Sequence, residues 1–568
     1  MKNTLALATS LSLILVLIVS TAQAANSCRS LVEQLQLVDY ASGAVKAGRP
    51  REAAKPVETA RRPEPTRPAK KDMVNTLIDA HLGGIPESGA FTREGVALEG
   101  QFKPQIARSD DVIKTINSTG KAVVYDGVKY IEFPNSTAMS TVDPVTGNQR
   151  EFILTRGVKP YVEKMNSETG SISPQGYVSD VLLFERVSGQ YVFRHRILAS
   201  KEDAKFFFED PRISVIHDAG KTHYFLSGTD YSSHRPDSTD PDVMNRYVEL
   251  KIDGRGLPVA VEVDPQTGKP AFSNMSPAPK RTDDVWAFVD AKNGTIAQNE
   301  AGEIVIRTRM RPDFGNPIVK AMAGDKHWQY AEQVFVFKNW QAFKDYNWND
   351  ALVDLFGKRG LLPTESTEGP SLSKIIILDT DLTENLTSSD PNLKVEVRSA
   401  EHPDAKGKGL GPGTRPVRIQ RKGNQLFTSD GPGAPEHFAG DIPENRLNDF
   451  PIVDGGVTYL TFDHEIRYVK QKVNGQTLMR RHYSASLKFF DSTLTNIIFY
   501  RPDAIQPKTK HELGFNSGIT DLLHVYPMGF AIAKSGNSSV VRVYAGASDA
   551  HTTIYDFNIL RLMLEMKK

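Results

Sequence analysis

The chain has 568 residues, of which 39% are apolar and 24% charged, with a formal net charge of +1. A chain of this length and composition can bury a large core and is typical of a soluble protein. A nearly neutral chain argues against nucleic acid or an anionic membrane as the main partner. Cys28 is the only cysteine, which excludes an internal disulfide and zinc sites built on thiolates.

The first 24 residues have the pattern of a secretory signal peptide. Lys2 provides a positive start, residues 5–19 form an apolar stretch, and Ala22-Gln23-Ala24 is a small-x-small cleavage site. An uncleaved membrane anchor is the less favoured alternative, because the apolar stretch is shorter than the ~20 residues that span a bilayer. We therefore expect an exported protein, periplasmic or secreted, with no transmembrane span after signal removal.

Two further segments precede the main domain. Residues 25–40 contain one short amphipathic, helix-like stretch. Residues 41–73 are rich in Pro, Arg and Lys and contain too little apolar surface to form a core, which predicts a linker.

From residue 91 to 568 the chain has the pattern of an all-β domain. Short apolar or alternating segments are separated by turn clusters such as Asp253-Gly254 and Asn293-Gly294. The predicted strands are, in chain order, Ala122–Tyr125, Tyr130–Phe133, Glu151–Thr155, Val181–Glu185, Tyr191–Arg196, Ile213–Ile216, Tyr247–Ile252, Val285–Val289, Ile304–Thr308, Val334–Phe337, Ile375–Leu378, Val417–Gln420, Val457–Phe462, Ser484–Phe489 and Val540–Tyr544.

Many short strands without alternating helices predict a propeller, sandwich or barrel. No strict internal repeat is visible, which disfavours a WD-type propeller. The Gly, Pro and charged residues of 355–450 predict a long insert of loops between strands. The apolar spacing of Asp556–Lys567 predicts a short closing helix.

The run Phe208-Glu209-Asp210-Pro211-Arg212-Ile213 is the first candidate for chemistry. It combines two adjacent carboxylates, a proline that stiffens the turn, and an arginine able to hold a carboxylate or a sugar oxygen. One interpretation is an acid presented at the mouth of a strand. The alternative is a turn that Asp210 and Arg212 simply fix in place.

Four motifs in one order resemble those of glycoside hydrolase family 130, which comprises five-bladed β-propeller mannoside phosphorylases and mannosidases. They are Glu209-Asp210-Pro211-Arg212-Ile213; Asp290-Ala291-Lys292-Asn293-Gly294 with Met310-Arg311-Pro312; Gly411-Pro412-Gly413-Thr414-Arg415-Pro416 with Tyr459-Leu460-Thr461-Phe462-Asp463-His464; and Val541-Arg542-Val543-Tyr544-Ala545-Gly546-Ala547-Ser548-Asp549. The resemblance covers about 181–566, apart from 355–410, and implies a five-bladed β-propeller.

The resemblance also implies roles for single residues. Asp210 matches the catalytic acid, which would protonate the glycosidic oxygen through a mannosyl hydroxyl while water or phosphate attacks C1 with inversion. No cofactor and no metal are implied. Glu209 would raise the pKa of Asp210 by like-charge repulsion and Arg212 would lower it, so the sign stays open. The substrate-binding residues implied are Glu209, Arg212, Lys292, Asn293, His464 and Asp549.

Two departures from the family pattern bear on the reaction. The run Arg309-Met310-Arg311-Pro312 lacks a histidine, and Glu465 follows His464 where a glycine is expected. Together with export, which would waste a sugar phosphate, they favour a hydrolase over a phosphorylase. A hydrolase needs a second carboxylate to activate water. The candidates for this base are Glu465, Asp463 and Glu300.

The sequence therefore predicts an exported glycoside hydrolase that acts on β-mannosides or related oligosaccharides. Two alternatives remain open. One is a catalytically inactive propeller that binds a cell-envelope glycan, and the other is a phosphate-dependent β-mannoside phosphorylase.

Overall fold

The computed structural model describes most of the chain beyond residue 86, within one compact unit of residues 68–568. The described residues are 87–100, 116–117, 123–159, 163–165, 172–174, 179–199, 208–218, 220–230, 244–261, 272–273, 288–312, 332–346, 372–378, 394–398, 409–473, 476–509, 511–512, 522–548 and 550–566. The predicted signal peptide (1–24), helical segment (25–40) and linker (41–73) lie outside them, as does Asp549.

The described residues are mostly β-strands. The strands are β1 (Phe91–Glu99), β2 (Ile116–Asn117), β3 (Val124–Tyr125), β4 (Val128–Lys129), β5 (Thr137–Val142), β6 (Gln149–Val158), β7 (Glu163–Met165), β8 (Ile172–Pro174), β9 (Ser179–Val187), β10 (Gln190–Leu198), β11 (Phe208–Asp218), β12 (Lys221–Asp230), β13 (Met244–Ile252), β14 (Pro258–Ala260), β15 (Phe272–Ser273), β16 (Phe288–Gln298), β17 (Ile304–Pro312), β18 (Glu332–Phe337), β19 (Leu372–Leu378), β20 (Lys394–Arg398), β21 (Gly409–Gly411), β22 (Val417–Lys422), β23 (Gln425–Ser429), β24 (His437–Asp441), β25 (Val457–Val473), β26 (Gln476–Phe490), β27 (Ile497–Ile505), β28 (Leu522–His524), β29 (Tyr526–Ser535), β30 (Ser538–Ala547) and β31 (His551–Phe557).

Helices are few among the described residues. They are α1 (Trp340–Asp345), α2 (Ile559–Glu565) and a 3-10 turn, Glu444–Arg446. Asn558 starts α2, because its side-chain oxygen accepts a hydrogen bond from the backbone N–H of Arg561. The predicted closing helix is thus confirmed, but it begins later, since Asp556 and Phe557 belong to β31. No helix in the described part is long and apolar enough to cross a membrane.

The strands form five larger sheets and two small hairpins, β3-β4 and β7-β8. The larger strand orders are β2-β1-β31-β30-β29, β10-β9-β6-β5, β11-β12-β13-β14 with β15, β16-β17-β18-β19-β20, and β24-β23-β22-β25-β26-β27 with β21 and β28. The first four sheets each end, on one side, in a single strand: β29, β5, β11 and β16, respectively. These strands meet, because β29 lies beside β5, and β11 lies beside β5, β16 and β29. Sheets that converge on their innermost strands form a propeller-like arrangement.

The first sheet joins the two ends of the described chain. β1 pairs with β31, antiparallel from Phe91 opposite Phe557 to Leu98 opposite Thr552. A ring closed in this way leaves fewer exposed sheet edges. Four sheets have the four or five strands of a propeller blade, whereas the last has eight. The prediction of five blades is therefore confirmed only in its coarser form, a propeller-like set of β-sheets.

The core lies between the faces of successive sheets. Ile153 of β6 and Tyr544 of β30 share one buried cluster, and Leu154 of β6 and Val215 of β11 share the next. Each fully buried apolar side chain of this size contributes roughly 1.5–3 kcal/mol. Face-to-face packing therefore holds the sheets around their common centre.

One predicted strand is wrong. Residues 130–133 do not form a strand, because Ile131 donates to Val158 of one sheet while Phe133 donates to Ala550 beside another. The described part of the range 355–450 contains β19 to β24, two of which include the predicted strands Ile375–Leu378 and Val417–Gln420. The long insert of loops stays a prediction for this range. Gly423, with φ of +62°, occupies the tight turn between β22 and β23.

Candidate active site

Asp210 lies in a β-bulge near the start of β11. The pairing of β11 with β12 shifts between Glu209 and Arg212, and Asp210 has φ of +53°, in the left-handed region. A bulge redirects a side chain out of the regular alternation, and strained backbone values cluster at functional sites. The side chain of Asp210 is partly exposed. The bulge therefore presents a carboxyl group where the innermost strands meet.

The two neighbouring innermost strands have the same local feature. Asn293 lies in a bulge of β16 with φ of +62°, and Asn135 lies just before β5 with φ of +55°. Asn and Asp tolerate this conformation better than other residues with a side chain. Three adjacent sheets thus each place a strained Asn or Asp near one point.

The two adjacent carboxylates of the motif are held by the preceding sheet. Asn135 Nδ2 donates to Asp210 Oδ1 over 2.6 Å. Arg156 of β6 pairs with Glu209, with 2.8 Å between Nη1 and Oε1. Glu209 is therefore paired with a cation, while Asp210 accepts a hydrogen bond from an uncharged amide.

The environment makes Asp210 easier to protonate. Burial, and then the negative charge of Glu209, raise the pKa of Asp210 from 3.8 to about 6. The positive charges of Arg212, Arg156 and Lys292 oppose this shift without cancelling it. The net shift of the Asp210 pKa, whose direction the sequence leaves open, is therefore upward. A raised pKa is what a general acid requires.

Arg212 supports the site from beneath. It is buried, with 1% of its surface exposed, and its Nε donates to the Gly413 carbonyl oxygen over 2.9 Å. Further bonds go to the carbonyl oxygens of Pro412, over 3.3 Å, and of Asp210, over 3.2 Å. The sequence prediction that Arg212 binds substrate is not supported, because its guanidinium fastens the Asp210 bulge to residues 412–413.

His464 and Asn293 lie in the same supporting layer around Tyr526. The Tyr526 hydroxyl donates to Asn293 Oδ1 over 3.3 Å, and the ring centres of His464 and Tyr526 lie 4.2 Å apart. His464 is fully buried, and neither of its ring nitrogens has a hydrogen-bond partner among the described residues. Burial and the positive charges of Arg309 and Arg212 hold the pKa of His464 well below 6.5, so its ring is neutral.

Gly411 is the residue that allows this layer to close. A Cβ at position 411 would lie 2.3 Å from His464 Cε1 and 3.2 Å from Asn293 Nδ2. These separations are too short for a side chain. The glycine-proline motif is therefore explained by close packing of the chain against the layer under Asp210.

Lys292 and Arg309 add positive charge at the edge of the site. They lie directly opposite each other in the antiparallel pair β16-β17, and both are partly exposed. The charge of Lys292 acts on Asp210, and that of Arg309 acts on His464 and Tyr526. This register places two cationic side chains opposite each other, and like charges in such a cross-strand pair repel.

Asp463, a candidate base, belongs to a buried ion cluster. Its Oδ2 lies 2.7 Å from Arg307 Nη2 and 3.0 Å from Lys488 Nζ, and both cations also pair with Glu332. Burial favours the neutral acid, but the charges of Arg307 and Lys488 outweigh it and keep the pKa of Asp463 well below its usual range. Asp463 Oδ1 also accepts from the Gly413 N–H over 3.0 Å. It is a structural anion and not a base.

The other two candidate bases also serve structural contacts. Glu465 is fully buried and accepts a hydrogen bond from the Tyr500 hydroxyl. Glu300 lies in the turn after β16, about 20 Å along the strand from Asn293. It pairs with Arg418 over 2.7 Å. The contacts described for these three carboxylates are with other residues than Asp210.

Sequence reasoning missed several residues of the site, namely Asn135, Arg156, Arg309 and Tyr526. Asn135 has at most a local turn signal, because it follows Pro134. Nothing in the sequence links it to Asp210, which lies 75 positions further on. The remaining predicted residue, Asp549, lies outside the described residues.

No protein-family model matches the chain, and no curated protein matches it. Among solved structures, the mannose phosphorylase MPT-4 from Leishmania mexicana has a TM-score of 0.37 at 10% identity, over 79% of this chain and 90% of that chain. A putative glycosidase from Bacteroides thetaiotaomicron VPI-5482 has a TM-score of 0.36 at 13% identity, over 81% and 96%. A structure concerning family 130 glycoside hydrolases that target β-1,2 mannosidic linkages in Candida mannan has a TM-score of 0.33 at 13% identity, over 81% and 94%. All three TM-scores are below 0.5.

Proposed function

We propose that this protein cleaves glycosidic bonds with Asp210 as its general acid, and that its substrates are β-mannosides or related oligosaccharides. The observation that supports this most is a partly exposed carboxyl group in a strained bulge, with its pKa raised to about 6. The substrate class comes from the motif resemblance around Glu209-Asp210-Pro211-Arg212. The reaction would proceed with inversion.

The proposed reaction is a single displacement. The proton of Asp210 reaches the glycosidic oxygen, relayed by a sugar hydroxyl, as the bond from C1 to that oxygen breaks. Water or phosphate forms the new bond to C1 from the opposite face. Water must lose a proton to a base in this step, whereas a phosphate oxyanion need not. Lys292, which is partly exposed beside the acid, would contact the incoming or leaving group.

A matched pair of variants tests the role of Asp210. Purified protein is incubated with β-manno-oligosaccharides, with and without phosphate, and released sugar is measured. Asp210→Asn should reduce turnover by about 10²–10⁴-fold. Asp253→Asn, in an exposed hairpin turn, should leave it unchanged. The proposal is wrong if the wild type releases no sugar in either condition, or if Asp210→Asn retains full activity.

A second candidate function is phosphorolysis. It is favoured by Lys292 and Arg309, which face each other across β16 and β17 and suit an oxyanion. Strictly phosphate-dependent turnover with release of a sugar 1-phosphate would select it over hydrolysis. Glycan binding by calorimetry that survives Asp210→Asn without any turnover would instead select the inactive, glycan-binding alternative.

Two further parts of the proposal concern architecture and location. We propose that β21, β25, β26 and β27, which pair antiparallel in that order, are a fifth blade to which β22–β24 are added. An experimental structure of the chain tests this arrangement.

We also propose that the protein is exported after removal of residues 1–24. Sequencing of the mature N-terminus should then begin at Ala25.

A further inference from the structure

The side chain of Asn135 is wedged between two strands that belong to different sheets. On one side its Nδ2 donates to Asp210 Oδ1 over 2.6 Å. On the other side its Oδ1 lies against Gly546 of β30, where a Cβ would approach to 1.9 Å. Asn135 is buried, with 4% of its surface exposed. The amide therefore fills the space between the carboxyl group and β30, which the absence of a side chain at Gly546 leaves open.

The direction of this hydrogen bond decides where the carboxyl group can hold its proton. Asp210 Oδ1 accepts from an N–H, and the carbonyl oxygen of a protonated carboxyl group is a better acceptor than its hydroxyl oxygen. A proton on Oδ2 leaves the hydrogen bond intact in both ionisation states. The two oxygens of the acid are thus made inequivalent by a neutral neighbour from the adjacent sheet.

We propose that Asn135 is a positioning residue, which keeps Oδ1 of Asp210 as an acceptor so that the acidic proton is carried by Oδ2. This inference rests on the proposed role of Asp210 for its catalytic meaning, but the hydrogen-bond device itself can be measured without turnover. A hydrogen bond donated to the charged form also stabilises the carboxylate. Asn135 therefore limits the upward pKa shift of Asp210 in addition to orienting its proton.

Several other groups act on Asp210 and remain in place when Asn135 is changed. Glu209 and Arg212 lie on the same strand, Arg156 acts from β6, Lys292 from β16, and the Tyr526 hydroxyl from β29. Because none of these is altered, a shift seen in an Asn135 variant reports on the amide itself.

The test is the titration of Asp210 in protein labelled with 13C-aspartate, followed by infrared difference spectroscopy. Asp210→Asn identifies the signal of this carboxyl group. Asn135→Gly removes the amide while accommodating the left-handed backbone at position 135. The titration midpoint of Asp210 should then rise by about one pH unit, because the carboxylate loses a hydrogen bond. The C=O frequency of the protonated form should also change.

Two further variants complete the design. Asn496→Ala is the matched control, since its Nδ2 also donates to an aspartate, Asp491, in a hairpin turn. It should leave the Asp210 titration unchanged. Gly546→Ala retains the Asn135 amide but displaces it, and should also raise the midpoint. An unchanged or lower Asp210 midpoint in Asn135→Gly overturns the proposal. If Asn135→Gly does not fold, an unchanged or lower midpoint in Gly546→Ala overturns it.

Activity provides an independent readout. The rate should fall as pH rises and the acid loses its proton, which gives the pH–rate profile an alkaline limb. Asn135→Gly should move this limb to higher pH by the same interval as the titration midpoint. A purely structural role would lower the rate at every pH without moving the limb. If the wild type proves inactive, the proposed function fails, whereas the titration still decides the role of Asn135.

Discussion

Replacing Asp210 by asparagine should change how the stability of the protein depends on pH. In the folded state burial and Glu209 raise the pKa of Asp210 from 3.8 to about 6. The carboxylate is therefore favoured in the unfolded chain. The contribution of this group to stability is fully present below pH 3.8 and is lost as pH rises through about 6. Asparagine does not ionise, so the variant escapes this loss.

The size of the effect follows from the pKa difference. A shift of about two pH units corresponds to about 3 kcal/mol, at 1.36 kcal/mol per unit. Because Asp210 is partly exposed, solvent screening reduces the expected effect to about 1–2 kcal/mol. Relative to the wild type, Asp210→Asn should thus gain about 1–2 kcal/mol in free energy of unfolding between pH 4 and pH 7.

Urea unfolding followed by tryptophan fluorescence, at pH 4 and at pH 7, measures this difference. Asp491→Asn is a suitable control, because the contribution of Asp491 to stability depends on pH in the opposite direction. Burial of Asp491 is outweighed by hydrogen bonds from Asn496 and Thr493, so its pKa is lowered and its contribution is lost as pH falls. The same stability difference between Asp210→Asn and the wild type at both pH values would refute the raised pKa and, with it, the assignment of the acid.

Three further predictions concern the surroundings of the acid. Arg156→Met should move the alkaline limb of the pH–rate profile upward by up to about one pH unit, because its positive charge lowers the pKa of Asp210. Gly411→Ala should cost about 1–3 kcal/mol in urea unfolding through its clash with His464, whereas Gly254→Ala, with open space around it, should not. Lys488→Met should cost about 3–5 kcal/mol in the same assay, because it leaves buried carboxylates short of a positive partner.

The fold was predictable where strands show a clear apolar pattern. The segments at 151–155, 181–185, 304–308 and 540–544 all lie within observed strands. Strands with polar inward positions were missed, among them β5, whose Thr137 and Thr141 are buried. Thr137 is stabilised by a contact from another sheet, since its hydroxyl accepts from the Ile213 N–H. Such a position depends on tertiary contacts that local patterns do not contain.

The local backbone at Asp210 was predictable from the sequence, and its surroundings were not. The motif around Glu209 and Asp210 indicates a carboxyl group in a turn, and Asp210 lies in a bulge that Asp210-Pro211 encodes locally. The role of Asp210 as the acid stays a prediction. The roles of Arg212 and Glu300 could not be assigned, because burial of the first and the pairing of the second with Arg418 follow from how the sheets assemble. Asn135 and Tyr526 are far from Asp210 along the chain and come near it only in the fold.

The buried ion cluster and the acid are joined by a continuous set of contacts. Asp463, which Lys488 and Arg307 hold ionised, accepts from the Gly413 N–H over 3.0 Å. The Gly413 carbonyl accepts from Arg212, whose Nη1 reaches the Asp210 carbonyl oxygen over 3.2 Å. Because each contact helps to fix the next backbone segment, we expect the cluster to influence the position of the acid. Lys488→Met should therefore lower turnover of the folded protein as well as its stability, although Lys488 is fully buried.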